Sequence, residues 1–326
     1  MFRLLLAAAL LFAVPAWAQA PVPGKTYTIG FSQIVDHPAL NATRQGFLDG
    51  LKEAGFVEGK NLKFEYQNAQ GDVGNARNIA EKFLADGVDL LAPCTTPNTL
   101  ATIRAAKGAK TPVVFGCVTN PVQAGVLAST DKPTGTNVTG LYGAQPVSEL
   151  LDLVREILPK AKTIGTIFNG GETNSTAADA IAKAYAEQHG LKWVEVQITS
   201  SAEVKNAVDS LVGRVDALVT PQDNTVASAY EAVVKDTRDA HLPLFSLDTT
   251  AVQRGALAAY GVDQYASGVA WAKLVAVPVL LGKDPATFTP VPYRTYDLYL
   301  NAATASADGI TIPEAVAKRA KTTYEK

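Results

Sequence analysis

Six short polar tracts in this sequence each follow an apolar run, and their residue types suit the capture of a small charged molecule. They are Gln33 to His37, Cys94-Thr95-Thr96, Val118-Thr119-Asn120-Pro121, Asn169 to Ser175, Gln222-Asp223-Asn224 and Leu247-Asp248-Thr249. Hydroxyls of Thr95, Thr96 and Ser175, together with free N–H groups at the starts of the helices that follow, suit an anion such as a carboxylate. Asp223 and Asp248 carry the charge needed to hold an ammonium group. His37, Asn120, Glu172, Asn174 and Asn224 complete the polar set, and Gln33 opens it. Ser, Thr, Asn and Asp are also preferred helix N-caps, so each residue alone has that second reading. The set gains meaning only if the chain brings it to one place.

The elements that must do so repeat. Tyr27-Thr28-Ile29-Gly30-Phe31 reads as a strand, followed by a helix stopping at Gly55, a strand at Leu62–Tyr66, and a helix with its apolar stripe at Ala76, Ile79, Ala80, Phe83 and Leu84. Val88–Ala92 and Pro112–Cys117 supply two further strands. From Lys162 the plan begins again: Thr163–Phe168, a helix ending at His189-Gly190, Trp193–Val196, Val215–Val219 and Pro243–Ser246. The two copies lie roughly 130 residues apart, a duplication of domain size rather than a short solenoid repeat. Alternating strands and helices predict an α/β protein of two Rossmann-like lobes, each a parallel sheet covered by helices on both faces. In such sheets ligands bind beyond the carboxyl ends of the strands, where all six polar tracts fall.

The expected division is a leader over residues 1–18, a first lobe over 26–141 and 256–288, and a second over 145–250 and 292–326. Three crossings, near 141–146, 250–256 and 286–292, would form a hinge that can close on a ligand. Met1-Phe2-Arg3, the apolar run Leu4–Val14 and Ala16-Trp17-Ala18 have the form of a secretory signal peptide cleaved after Ala18. That run is shorter than the roughly 20 residues a membrane span needs. The net charge of −2 gives no basic field for nucleic acid. No later stretch is apolar enough for membrane insertion.

Other chemistry finds little support. The three histidines His37, His189 and His241 show no His-x-x-x-His spacing, and no Cys-x-x-Cys occurs, so no metal site is expected. Gly55 to Asn61 resembles a phosphate loop only superficially, because it follows a helix and has Asn61 where Ser or Thr is needed. No Gly-x-Ser-x-Gly elbow is present. Cys94 and Cys117 end runs that read as neighbouring parallel strands. A disulfide there would add about 3 kcal/mol by loop entropy, though parallel neighbours often point their Cβ atoms unsuitably. Tyr142 and Tyr260 could line a pocket for an aromatic ligand; Trp271, inside a helix, reads as core.

The mature sequence as a whole resembles the ABC-transporter substrate-binding proteins of periplasmic binding fold type I, nearest the branch with tryptophan- and aromatic-amino-acid-binding members. The resemblance rests on His37-Pro38-Ala39-Leu40, Gly46-Phe47, Gly59-Lys60-Asn61, Ala69-Gln70-Gly71-Asp72 and Asn137-Val138-Thr139-Gly140. It continues through Leu158–Lys162, Glu172–Ser175, Asp223-Asn224-Thr225 and Gly309–Pro313. It implies a periplasmic protein that captures a small molecule between its lobes and delivers it to a permease with a cytoplasmic ATPase. It points to Gln33, Thr95, Thr96, Asn174, Ser175, Asp223 and Asn224, with Thr95 and Thr96 on a carboxylate and Asp223 on an ammonium. A monomer with no cofactor and no catalytic residue goes with it. Asn120, where the family commonly has Asp, and Cys94, where it has a small residue, depart from the pattern. Two readings share the same cleft: a sensor presenting ligand to a membrane receptor, and an exported enzyme, which would need a competent acid, base or nucleophile.

Overall fold

The computed structural model describes residues 20–325; the leader expected over 1–18 lies outside the described residues. The chain begins with β1 (Tyr27–Gln33), α1 (Pro38–Glu53), β2 (Leu62–Asn68), α2 (Val73–Ala85), β3 (Leu90–Cys94), α3 (Thr96–Ala105), β4 (Val113–Val118) and β5 (Val138–Tyr142). It continues with α4 (Val147–Ile157), β6 (Thr163–Asn169), α5 (Thr173–Gln188), β7 (Lys192–Ile198), α6 (Val204–Leu211), β8 (Ala217–Thr220), α7 (Asn224–Ser228) and α8 (Tyr230–Asp239). Then come β9 (Leu244–Ser246), α9 (Ala251–Arg254), β10 (Ala258–Val262), α10 (Gln264–Trp271), α11 (Val277–Leu280), β11 (Val291–Pro292), β12 (Tyr296–Asn301), α12 (Ala302–Ala307), α13 (Glu314–Ala317) and β13 (Ala320–Tyr324).

Two sheets result. The first has the order β11-β5-β4-β3-β1-β2 and the second β13-β12-β10-β9-β8-β6-β7. Central strands such as β3 and β8 are buried throughout, as strands covered on both faces must be. The first sheet is wholly parallel, whereas β10 and β12 run antiparallel in the second. The first-lobe core gathers Phe31, Phe47 and Trp271, with the Trp271 ring 5.4 Å from Phe31 and 4.4 Å from Phe47. The second is filled by Leu150, Ile164, Phe245 and Leu300.

The lobe boundaries need correcting. The run at 256–262 was expected to return to the first lobe, but β10 pairs with β9 and β12, so it belongs to the second sheet. The apolar stretch Ala256–Ala259, fully buried, completes that lobe's core before the chain leaves. The second crossing therefore falls between Val262 and Gln264 rather than at 250–256. Likewise β11 pairs with β5 of the first sheet, which moves the third crossing from 286–292 to between Pro292 and Tyr296. The first crossing runs from Tyr142 to Val147.

What seats the returning chain is a contact without side chains. A Cβ on Gly46 of α1 would stand 2.0 Å from the Tyr265 carbonyl oxygen, and one on Gly268 of α10 would stand 2.1 Å from that of Thr43. The two helices meet backbone to backbone, which fixes where the second crossing re-enters the first lobe. Gly46→Ala or Gly268→Ala must push them apart, and we expect a loss of about 1–3 kcal/mol in urea unfolding.

Candidate functional site

The carboxyl ends of the two sheets face each other across a cleft enclosing about 840 Å³ of atom-free space, its mouth included. The first lobe lines it with His37 after β1, Thr95 and Thr96 after β3, and Thr119 after β4. The second supplies Asn174, Gln222, Asp223, Asn224 and Asp248. The crossings add Gly143, Gln264 and Tyr293, while Leu40, Val118, Leu141, Val226, Tyr230 and Val262 make the apolar wall.

Side-chain bonding separates caps from ligand-facing groups. Asp223 is a cap: its Oδ1 accepts from Val226 N at 2.8 Å, and its Oδ2 accepts from Asn169 N and the Ser175 hydroxyl, both at 2.7 Å. Both oxygens are occupied by the protein, so the expected ammonium role does not fit Asp223. Asp248 uses only Oδ1, which accepts from Thr250 N and its hydroxyl. Among the described residues no donor reaches its Oδ2. Thr95 precedes α3 without capping it, and the Thr95 and Thr96 hydroxyls are buried with no partner among the described residues. The same holds for Asn174 Oδ1 and His37 Nδ1. Unpaired polar atoms are costly in a protein interior, and here four line one cleft.

Behind the second-lobe wall, Glu172 is a buried hub rather than a lining residue. Its Oε2 accepts from Asn174 Nδ2 and from Asn224 N, both at 3.1 Å, and its Oε1 accepts from Thr225 N at 3.1 Å and from the Thr225 hydroxyl at 3.0 Å. Asn174 also donates to the Gln222 carbonyl at 2.9 Å, and Gln145 of the first crossing donates to the Asn174 carbonyl. Burial, reinforced by the Glu172 charge, pushes the Asp223 carboxyl up to about 7 despite three donors. Burial likewise depresses the His37 ring below its ordinary range; Asp248, across the cleft, opposes this and Arg254 assists it.

Four expected site residues stand elsewhere. Gln33 is buried beneath the cleft, accepting from Arg44 at 2.6 Å and donating to Asn41. Asn120 is exposed and accepts from Gln123 N, closing its own turn. Tyr142 packs on the opposite face of β5 from Leu141, as strand alternation dictates. Tyr260 faces a separate surface groove beside Tyr296. Ser175, like Glu172, supports the wall from behind. Tyr230 and Tyr293 were missed. Tyr230 reaches the cleft where α7 breaks after Ser228 and α8 begins; its hydroxyl meets Thr220 Oγ1 at 3.1 Å, and burial pushes it up to about 12. Tyr293 sits in the third crossing, where its N–H donates to the Tyr142 carbonyl at 2.7 Å. Neither position carries a sequence signal beyond being aromatic.

A family model for ABC transporter substrate-binding proteins matches residues 28–324. The chain belongs to that family. The chain is 35% identical over 283 residues to a tyrosine-binding protein of Clostridioides difficile, covering 87% of this chain and 81% of the relative. A Streptococcus pneumoniae domain solved with L-Trp is 32% identical with a TM-score of 0.87. The ligand-free, open structure of a substrate-binding protein with adhesive properties from Clostridium difficile is 35% identical with a TM-score of 0.68. Each comparison covers 92% of this chain and the whole of the other. The two-lobed α/β fold is that of the type I periplasmic binding proteins. This family is one of binding proteins, not of enzymes. Among the described residues no helix is long and apolar enough to cross a membrane, and no His, Cys, Asp and Glu group could hold a metal ion.

Two outcomes follow from the bonding. Thr95 has φ 92° and ψ 157°, a region that costs a β-branched residue about 1–3 kcal/mol. Thr95→Gly should therefore be more stable than Thr95→Ala by about 1–2 kcal/mol in denaturant unfolding, although both lose the hydroxyl. The Asp223 carboxyl titrates higher when folded than its unfolded value of about 4, so the folded state holds more protons between them. Its stabilising contribution is full below about pH 4 and is lost as pH rises through about 7. The stability difference between wild type and Asp223→Asn should shift toward the variant over that window, read by unfolding at a series of pH values.

Proposed function

We propose that this protein is the periplasmic substrate-binding component of an ABC importer and that its ligand is an aromatic amino acid. The supporting observation is the pairing of unpartnered groups across the cleft: the Thr95 and Thr96 hydroxyls on one lobe, the free oxygen of Asp248 on the other. The two hydroxyls, at the start of α3, suit a carboxylate. Asp248 suits the ammonium, in place of Asp223. The wall of Leu40, Val118, Leu141, Val226, Tyr230 and Val262 suits an aromatic side chain. Relatives named for tyrosine and solved with L-Trp support that class.

In this reading the ligand binds between the lobes, and rotation about the three crossings closes them. The TM-score of 0.87 to the L-Trp complex against 0.68 to the open, ligand-free relative, at similar identity and equal coverage, supports taking the described arrangement as the closed one. The closed form presents the ligand as a monomer to a permease driven by a cytoplasmic ATPase.

The test is thermal unfolding of purified protein, refolded to remove carried-over ligand, against all common amino acids. A ligand at 100 times its dissociation constant adds about 2.7 kcal/mol, a shift of several degrees. L-Tyr, L-Trp or L-Phe should give the largest shift, with Asp248→Asn weakening binding by about tenfold or more and Asp223→Asn by far less. A response confined to aliphatic or acidic amino acids would overturn the aromatic assignment. Equal losses from the two variants would overturn the role of Asp248.

A further inference from the structure

The carboxylate-binding side of the cleft is built on a covalent link that the binding reading leaves unexplained. Cys94 and Cys117 form a disulfide with their Cα atoms 5.3 Å apart. Cys94 is the last residue of β3, one position before Thr95, and Cys117 itself lines the cleft. It sits where the β4–β5 register slips, between Phe115 paired with Gly140 and Val118 paired with Tyr142. Both connected segments adopt left-handed backbone at a residue with a side chain: φ is 92° at Thr95 and 55° at Cys117. Such conformations persist only where the surroundings over-determine them.

Few other restraints act there. Thr95 N donates to the Gly116 carbonyl at 3.1 Å, and Asn98 Nδ2 donates to the Ser32 carbonyl at 2.7 Å and the Cys94 carbonyl at 3.3 Å. The Thr95 and Thr96 side chains themselves make no bond to the protein. The corresponding loop of the second lobe is held differently, with Asn174, Asn224 and Thr225 fixed by Glu172 and the loop capped by Asp223. The first-lobe loop after β3 has no carboxylate where the loop after β8 has Asp223; the acid of the loop after β1, Asp36, instead accepts from Tyr66 and Asn68. A carboxylate after β3 would repel the anionic end of an amino acid, whereas a disulfide is uncharged.

We propose that the Cys94–Cys117 disulfide is a positioning element of the ligand site, locking the ends of β3 and β4 so that the Thr95 and Thr96 hydroxyls are held where the ligand carboxylate is recognised. The link replaces, in a neutral form, the hydrogen-bonded carboxylate that shapes the opposite wall. The inference rests on the carboxylate assignment above.

The experiment compares wild type with the Cys94→Ala/Cys117→Ala double variant, well below either melting temperature, using L-tyrosine and tyramine, which lacks the carboxylate. Affinity for L-tyrosine should fall by about tenfold or more, while tyramine changes by less than about twofold. The preference for amino acid over amine then collapses, an effect that lowered stability alone would not produce. Parallel weakening of both ligands, or unchanged affinities with only a lower melting temperature, would overturn the proposal. Should the double variant not fold, wild type reduced with tris(2-carboxyethyl)phosphine, its thiols titrated, supplies the same comparison. If wild type binds neither compound, the aromatic assignment fails separately. Amide hydrogen exchange of the ligand-free proteins then decides: faster exchange confined to residues 95–99 and 117–119 supports positioning, and unchanged exchange there overturns it.

Discussion

One buried carboxylate organises the second lobe's side of the cleft. Glu172 gathers the amide side chains of Asn174 and Asn224 and both the backbone and the hydroxyl of Thr225, drawing the loops after β6 and β8 into a single surface. A charge buried this deeply is tolerable only when donors surround it, so the loops have little freedom to rearrange. Its nearness to Asp223 has a further effect. Burial, with the Glu172 charge beside it, disfavours ionisation of Asp223, whose carboxyl rises toward neutral pH while three donors hold it as a cap. The wall is therefore rigid because its acidic groups are spent inside the protein, leaving Asp248 with an oxygen free.

The first lobe meets the same demand by other means. Its cleft edge carries hydroxyls with no protein partner, and backbone strain at Thr95 combined with a covalent tie keeps them in place. In the proposed function the first wall would face the anionic end of the ligand and the second its cationic end. The crossings join them and also line the cleft: Gln145 accepts from Gln222 N and donates to the Asn174 carbonyl, and glycine-to-backbone contacts between α1 and α10 anchor the returning chain.

Much of this was legible in the residues. Strand and helix order, the duplication and the polar tracts at strand ends all follow from periodicity and from punctuation by Gly and Pro. Lobe membership of β10 and β11 did not, because the apolar Ala258–Val262 run fits either sheet equally well and Val291-Pro292 is too short to carry a period. Tyr142 and Tyr260 were natural candidates for an aromatic pocket, yet strand alternation turns one to the far face of β5, and the other lines a different groove. Tyr230 entered the site through a helix break after Ser228 that no Gly or Pro announces.

The sequence by itself determined the class of protein and the six loops that supply most of the cleft's polar lining, since hydrophobic period and residue type act locally. Only the tertiary structure decided which polar residues remain free for a ligand. Asp223 and Asp248 are chemically alike, and each begins a helix-bound loop. A nearby backbone N–H holds one oxygen of each; their difference lies in whether neighbours distant in the chain reach the second, as Asn169 and Ser175 do for Asp223. That is a matter of which hydrogen bonds are already made, and it is settled by packing rather than by composition.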